Sequence, residues 1–217
     1  MSKHLVLVAG NIGSGKSSIT ERIGARLGWK TGFESVLDNP YLGDFYGSMR
    51  QWSFHLQIFF LGHRAEQHLA LANDSLSAIA DRSIYEDAHI FARALHHIGN
   101  LDERDYLAYL TVFKLVTSTL PRPDLLIYLN APVPVLLERI RSRGRPMEQG
   151  ITADYLSLLD NFYEDWLESF DLCPVLTIHT DDLDFVHHKN HLDIVVQRIQ
   201  DKLHGREDIY FSAEKSE

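Results

Sequence analysis

The chain has 217 residues, a formal net charge of −9, 45% hydrophobic and 24% charged residues, and one cysteine, Cys173. That length suits one domain with a real core, and the acidic balance argues against a nucleic-acid partner. One cysteine excludes an internal disulfide and any multi-cysteine metal site, and fits a reducing cytosol. No signal peptide is expected, because the first apolar run leads straight into a glycine-rich segment. No apolar run nears the roughly 20 residues of a membrane span, so a cytoplasmic chain with no membrane partner is expected.

In chain order, short β-branched or leucine-rich runs alternate with helix-period segments, the pattern of an α/β fold with a parallel sheet. Leu5–Ala9 reads as a buried first strand, followed by a helix over Lys16–Leu27 and a weaker strand over Lys30–Glu34. Trp52, Leu56, Phe59, Phe60 and Leu69 recur at helical spacing on a long helix ending near Asn73. Ala78–Ala80 is a short strand ending in Asp81-Arg82-Ser83, and helices over Tyr85–His97 and Asp102–Leu120 follow, the second closed by Pro121 and Pro123. Leu125–Leu129 is the clearest central strand, and Pro134 suits the first turn of a helix that runs into the arginine-rich stretch Arg139–Arg145. A helix over Thr152–Phe170, a strand over Val175–Ile178 and a helix over Leu192–Leu203 complete the count of five strands. One domain over 1–205 is expected, with a lid at about 139–151 and a polar tail over 206–217.

Gly10-Asn11-Ile12-Gly13-Ser14-Gly15-Lys16-Ser17 satisfies G-x-x-x-x-G-K-S/T between a predicted strand and a predicted helix, with Ser18 next in line. The glycines let backbone N–H groups wrap phosphate oxygens, and the helix N-terminus adds its positive dipole end. Lys16 would bridge the β- and γ-phosphates of ATP, and Ser17 would hold Mg²⁺.

The acceptor needs separate evidence. There is no Asn-Lys-x-Asp guanine-reading segment, and the best central strand ends in Asn130-Ala131-Pro132, without the acidic pair of a motor ATPase. The acids at strand ends are Glu34 and Asp81, which in a parallel sheet point to the phosphate end. One can act as base for an attacking hydroxyl and the other as metal partner; both also read as solvated loop acids. Gln57 and Arg64 lie seven residues apart, so on a helix they face the same way. By periodicity alone Phe54 and Phe91 are core residues, and Arg139, Arg143 and Arg145 are a solvated helix end or an anion-binding patch. The twelve histidines are scattered without metal-ligand spacing.

With these residues in view, the chain resembles the deoxynucleoside kinase family, and within it the bacterial deoxyadenosine/deoxyguanosine kinase branch. The resemblance runs from the P-loop to Asp184-Phe185-Val186. It rests on GNIGSGKSS at Gly10–Ser18, an acid followed by NPYL at Glu34–Leu42, WSFHLQ at Trp52–Gln57, DRSIYED at Asp81–Asp87 and RGRPMEQGI at Arg143–Ile151. It implies a P-loop kinase with a central parallel five-stranded sheet, flanking helices and an arginine-rich lid. ATP with Mg²⁺ and a deoxynucleoside are the implied ligands, and the implied reaction moves the γ-phosphate to the 5′-hydroxyl.

The resemblance also implies roles. Glu34 matches the general base for the 5′-hydroxyl, Arg82 the arginine beside that hydroxyl and the transferring phosphoryl group, and Asp81 an acid near Mg²⁺. Gln57 would pair with the base edge, Arg64 and Asp87 would form a charged pair at the deep end of the base pocket, and Phe54 and Phe91 would sandwich the base. Tyr46 and Glu148 would bind the sugar 3′-hydroxyl, closing the space of a ribose 2′-hydroxyl. Arg139, Arg143 and Arg145 would be the lid on the triphosphate, and Asp182 to Phe185 the loop around the ATP adenine. Two departures concern tuning: Met147 stands where some relatives carry a second acid, and Glu34-Ser35-Val36 where several animal relatives have Glu-Pro-Val. The helices over Trp52–Leu71 and Asp102–Leu120 would be the faces of a homodimer. The rivals are a nucleoside monophosphate kinase, which needs basic groups for its acceptor's phosphate, and a non-enzymatic ATP-binding regulatory module.

Overall fold

Apolar runs in which every residue is buried belong to strands covered on both faces, and that is how the sheet is built. A computed structural model describes residues 3–33, 39–181 and 189–204. Its five strands are β1 (Leu5–Gly10), β2 (Lys30–Gly32), β3 (Ala78–Asp81), β4 (Leu125–Asn130) and β5 (Val175–His179). They pair in parallel in the order β2-β3-β1-β4-β5.

The two-residue period of β1 divides the core. Val6 and Val8 face α1 (Lys16–Leu27) and α9 (Lys189–His204), meeting Ile19, Ile23, Val195, Val196 and Ile199. Leu5, Leu7 and Ala9 face the opposite layer, which includes residues of α3 (Met49–Asn73), α6 (Glu103–Thr117) and α8 (Ala153–Ser169). Full burial of each such Leu, Ile or Val is worth about 1.5–3 kcal/mol, so the layers hold the strand ends rigidly. A smaller cluster of Ala131, Leu136, Ile140 and Leu156 ties α7 (Val133–Arg143) to α8.

Two short elements were not expected: α2 (Leu42–Gly47) and a 3₁₀ turn at Pro146–Glu148 within the lid segment. The expected helix over Tyr85–His97 starts at Ile84 as α4 (Ile84–Glu86), passes through a π-helical stretch Asp87–Ala92, and ends as α5 (Arg93–His97). Ser83 caps α4: its hydroxyl accepts from Glu86 N, and the Glu86 carboxylate accepts from Ser83 N. No helix among the described residues is long and apolar enough to cross a membrane.

Candidate active site

β1 ends at the centre of the sheet, so the turn that follows it opens at the carboxyl ends of the strands. Gly10 has φ 148°, and a Cβ there would stand 2.6 Å from the Leu129 carbonyl oxygen and 2.8 Å from Ser14 Oγ. Only glycine fits so close to β4. Gly15, with φ 98°, starts α1. Asn11 ties the loop to α8: its Nδ2 donates to the Leu156 carbonyl at 2.9 Å and to Asp160 Oδ1 at 2.6 Å. Burial, with the nearby Glu164 charge adding to it, raises the Asp160 pKa, while the Asn11 hydrogen bond opposes the rise.

The Lys16 ammonium is buried and folds back on the loop, donating to the Gly10 carbonyl at 2.8 Å and the Asn11 carbonyl at 2.9 Å. Ser17 Oγ donates to Asp81 Oδ2 at 2.5 Å, so the first turn of α1 meets the end of β3. A hydroxyl and a carboxylate side by side at a phosphate loop are the oxygen donors that Mg²⁺ takes, with phosphate oxygens and water completing its shell. Among the described residues no group of three or more His, Cys, Asp or Glu is placed to hold a metal ion.

Arg82 follows Asp81 with φ 75°, a left-handed backbone that a non-glycine residue adopts at a cost of about 1–2 kcal/mol. Strain held at a strand end beside a phosphate loop is a mark of function. Its guanidinium lies over the Phe91 ring at 4.4 Å, and Nη1 stands 3.6 Å from Glu86 Oε1. Arg82 thereby pairs with a buried carboxylate, Glu86.

A cavity of about 570 Å³ runs from this phosphate end towards α3 and the π-helical stretch. Lys16, Ser17, Asp81 and Arg82 line one end, Gln57, Arg64, Asp87 and Phe91 another part, and Tyr46, Arg143, Arg145 and Glu148 also border it. Arg64 Nε and Asp87 Oδ2 are 2.5 Å apart, at 4% and 3% exposure. Gln57 is buried too, and its Oε1 has no hydrogen-bond partner among the described residues, an acceptor that a ligand N–H would satisfy. The polar residues grouped from the sequence, Gln57, Arg64 and Asp87, thus line one cavity.

Phe54 departs from expectation, because it is not among the residues lining the cavity, while Leu56 and Phe60 are. Helical phase explains this: at about 100° per residue, Phe54 projects about 60° to one side of Gln57, with Phe60 and Leu56 on the other. The Arg64 guanidinium lies over Phe60 at 5.2 Å, so Phe60 braces the ion pair as well as the wall. Tyr155 also lines the cavity, and burial pushes its hydroxyl pKa up to about 12. Neither Phe60 nor Tyr155 carries a local signal that separates it from a core aromatic.

In the lid segment, Glu148 accepts from Arg143 Nη2 at 2.6 Å and from Arg145 Nη1 at 3.3 Å. Arg139 turns away, donating to the Thr180 hydroxyl at 3.0 Å and to the Thr180 carbonyl. Ile12, Gly13 and Ser14 occupy the loop as expected, and Ser18 is exposed on α1. Glu34, Asp182, Phe185 and the tail over 206–217 lie outside the described residues, as does the side chain of Met147.

A family model described as deoxynucleoside kinase matches residues 6–204. A deoxyadenosine/deoxycytidine kinase of Bacillus subtilis is 38% identical over 205 residues, covering 94% of this chain and 94% of its own length. A deoxyguanosine kinase of Lactobacillus acidophilus is 35% identical over 92% of this chain and 90% of the relative. Among solved structures, a deoxyadenosine kinase from M. mycoides with bound dATP superposes with a TM-score of 0.78 at 28% identity, covering 90% of this chain and 99% of that one.

Proposed function

This chain belongs to the deoxynucleoside kinase family and is an ATP-dependent kinase of deoxynucleosides; we propose that its preferred acceptor is a purine deoxynucleoside, deoxyadenosine first and deoxyguanosine second. One observation carries the reading: the buried set Gln57, Arg64 and Asp87 shares a single cavity with Lys16, Ser17 and Arg82. A base-reading end joined to a phosphate end is what a nucleoside phosphotransferase requires.

The Gln57 amide both donates and accepts, so it can serve the N1 and N6 edge of adenine or, turned over, the edge of guanine. Asp87 offers only acceptor oxygens, which favour an amino group over the guanine carbonyl. The names of the relatives support this range, since they include deoxyadenosine, deoxyguanosine and deoxycytidine kinases. The Arg64 charge at the base end is matched by Asp87, leaving no free cation in that pair for the phosphate of a monophosphate acceptor.

In the proposed mechanism Glu34 takes the proton of the 5′-hydroxyl as that oxygen attacks the γ-phosphorus. Arg82 stands beside the transferring group and stabilises its charge in the transition state. Lys16 reaches the β- and γ-phosphates, and the backbone N–H groups of Gly13, Ser14 and Gly15 receive phosphate oxygens. Ser17 and Asp81 would hold Mg²⁺, which would supply charge neutralisation at the phosphates. Arg143 and Arg145 exchange Glu148 for the triphosphate when the lid engages, Arg139 supports that lid, and Asp182 and Phe185 border the ATP adenine. The released Glu148, with Tyr46, then receives the 3′-hydroxyl. Gln57, Phe91 and Phe60 hold the base. Two copies pair through the exposed apolar side chains Leu69 on α3 and Leu107, Val112 and Leu115 on α6.

The test is ADP release with each of the four deoxynucleosides, adenosine and dAMP as acceptors. Turnover with dAMP alone would favour a monophosphate kinase. Glu34→Gln is expected to lower kcat by about 10²–10⁴-fold with ATP binding intact. Unchanged turnover would remove Glu34 as the base, and ATP binding without turnover in the wild type would favour a regulatory module.

A further inference from the structure

Glu86 is fully buried and does not line the cavity. Capping α4 accounts for its Oε2, which accepts from Ser83 N at 2.8 Å. It does not account for Oε1, which accepts from Gly10 N at 3.2 Å and from the Tyr163 hydroxyl at 2.6 Å, with Arg82 Nη1 at 3.6 Å. A surface cap needs none of these partners. Here one desolvated carboxylate joins the end of β1, the end of β3 and α8.

The Tyr163 hydroxyl also stands 2.8 Å from the Gly10 carbonyl oxygen. A phenol carries one hydrogen, so it serves Glu86 or Gly10 but not both at once. Burial first, and then the Glu86 charge, hold its pKa well above the ordinary value, so that hydrogen stays in place. The Gly10 carbonyl has a second donor in Lys16 Nζ. An ammonium has three hydrogens, and two of them already serve the Gly10 and Asn11 carbonyls. Reaching two phosphate oxygens therefore withdraws Nζ from at least one of these carbonyls. A buried carbonyl left without a donor would oppose ATP binding.

We propose that Glu86 and Tyr163 are a positioning pair for phosphoryl transfer. Glu86 fixes Arg82 against the first residue of the P-loop. Tyr163 turns its hydrogen from Glu86 to the Gly10 carbonyl as Lys16 turns to the triphosphate. The inference rests on the roles given to Lys16 and Arg82 above and adds to them two residues that touch no substrate.

Tyr163→Phe removes only the hydroxyl and keeps the ring contacts with Tyr128 and Trp166. ATP binding by calorimetry, together with kcat and both KM values, reads the effect. The expected result is ATP affinity weaker by about tenfold, the size of one hydrogen bond in a charged site, with the KM for the deoxynucleoside unchanged. Glu86→Gln is expected to lower kcat by about 10–100-fold through a displaced Arg82, again sparing the nucleoside KM. Unchanged ATP affinity in Tyr163→Phe would overturn the proposal. So would an equal rise in both KM values with a lowered melting temperature, which marks a general packing role. If Glu86→Gln fails to fold, Tyr163→Phe decides alone. The wild type in the same assay separates the two ideas: its inactivity on every deoxynucleoside sinks the reading of the site, whereas an active wild type with an indifferent Tyr163→Phe sinks only this inference.

Discussion

Removing the Asp87 carboxylate tests the base end of the cavity, because the cost follows from burial. Arg64 and Asp87 are almost wholly removed from water and touch at 2.5 Å. In Asp87→Ala the guanidinium keeps its contact with Phe60 but loses its counter-charge. A cation stranded in this way costs about 3–5 kcal/mol, which for a chain of this size lowers Tm by roughly 6–20 °C. The double variant Arg64→Met/Asp87→Leu strands no charge and is expected within about 1 kcal/mol of the wild type, or above it. Urea unfolding followed by tryptophan fluorescence measures both. A loss below about 1 kcal/mol in Asp87→Ala, with no recovery in the double variant, would refute the view that the pair is structurally coupled and dry. The same site carries a functional arm. Asp87→Asn adds a donor beside the base edge, and the ratio of turnover with deoxyadenosine to turnover with deoxyguanosine is expected to fall.

Two further outcomes follow from geometry elsewhere. Asp160 has a raised pKa, chiefly through burial, so the folded chain binds its proton at a higher pH than the unfolded chain does. Its contribution is a penalty at neutral pH that is relieved as pH falls through the folded pKa. Asp160→Asn keeps an acceptor for Asn11 and is expected to be more stable at neutral pH, with a flatter stability profile down to the ordinary carboxylate range. Equal profiles in pH-dependent unfolding would contradict this. In the proposed dimer, Leu115 is the most exposed of the apolar residues named, at 70%. Leu115→Glu is expected to shift the sedimentation mass from two chains towards one at micromolar concentration without loss of helix content. A wild-type mass of one chain would defeat the dimer outright.

The parts of this protein legible in its sequence are those whose signal is local. The strand–glycine loop–helix order locates the phosphate site because its chemistry uses consecutive backbone N–H groups. The seven-residue step from Gln57 to Arg64 put both on one helical face, and both line the cavity with Asp87. The resemblance extended this to Tyr46, Arg82 and Glu148. It also named Phe54, which does not line the cavity, because a short matching run does not fix which side of Gln57 faces it. The π-helical turn over Asp87–Ala92, which carries Asp87 and Phe91, has no periodic signature in so short a stretch.

What only the tertiary structure decided is how distant groups satisfy one another. Glu86 closes the Ser83 capping box through one of its oxygens. Its other oxygen meets Gly10 and Tyr163 because β3 lies beside β1 and α8 packs across their ends, over separations of 76 and 77 residues. A buried carboxylate must find donors wherever the fold brings them, and no spacing rule along the chain encodes that search. Backbone chemistry thus fixed the phosphate loop locally, while desolvation chose the partners of Arg82, Glu86 and Tyr163 once the sheet order brought them together.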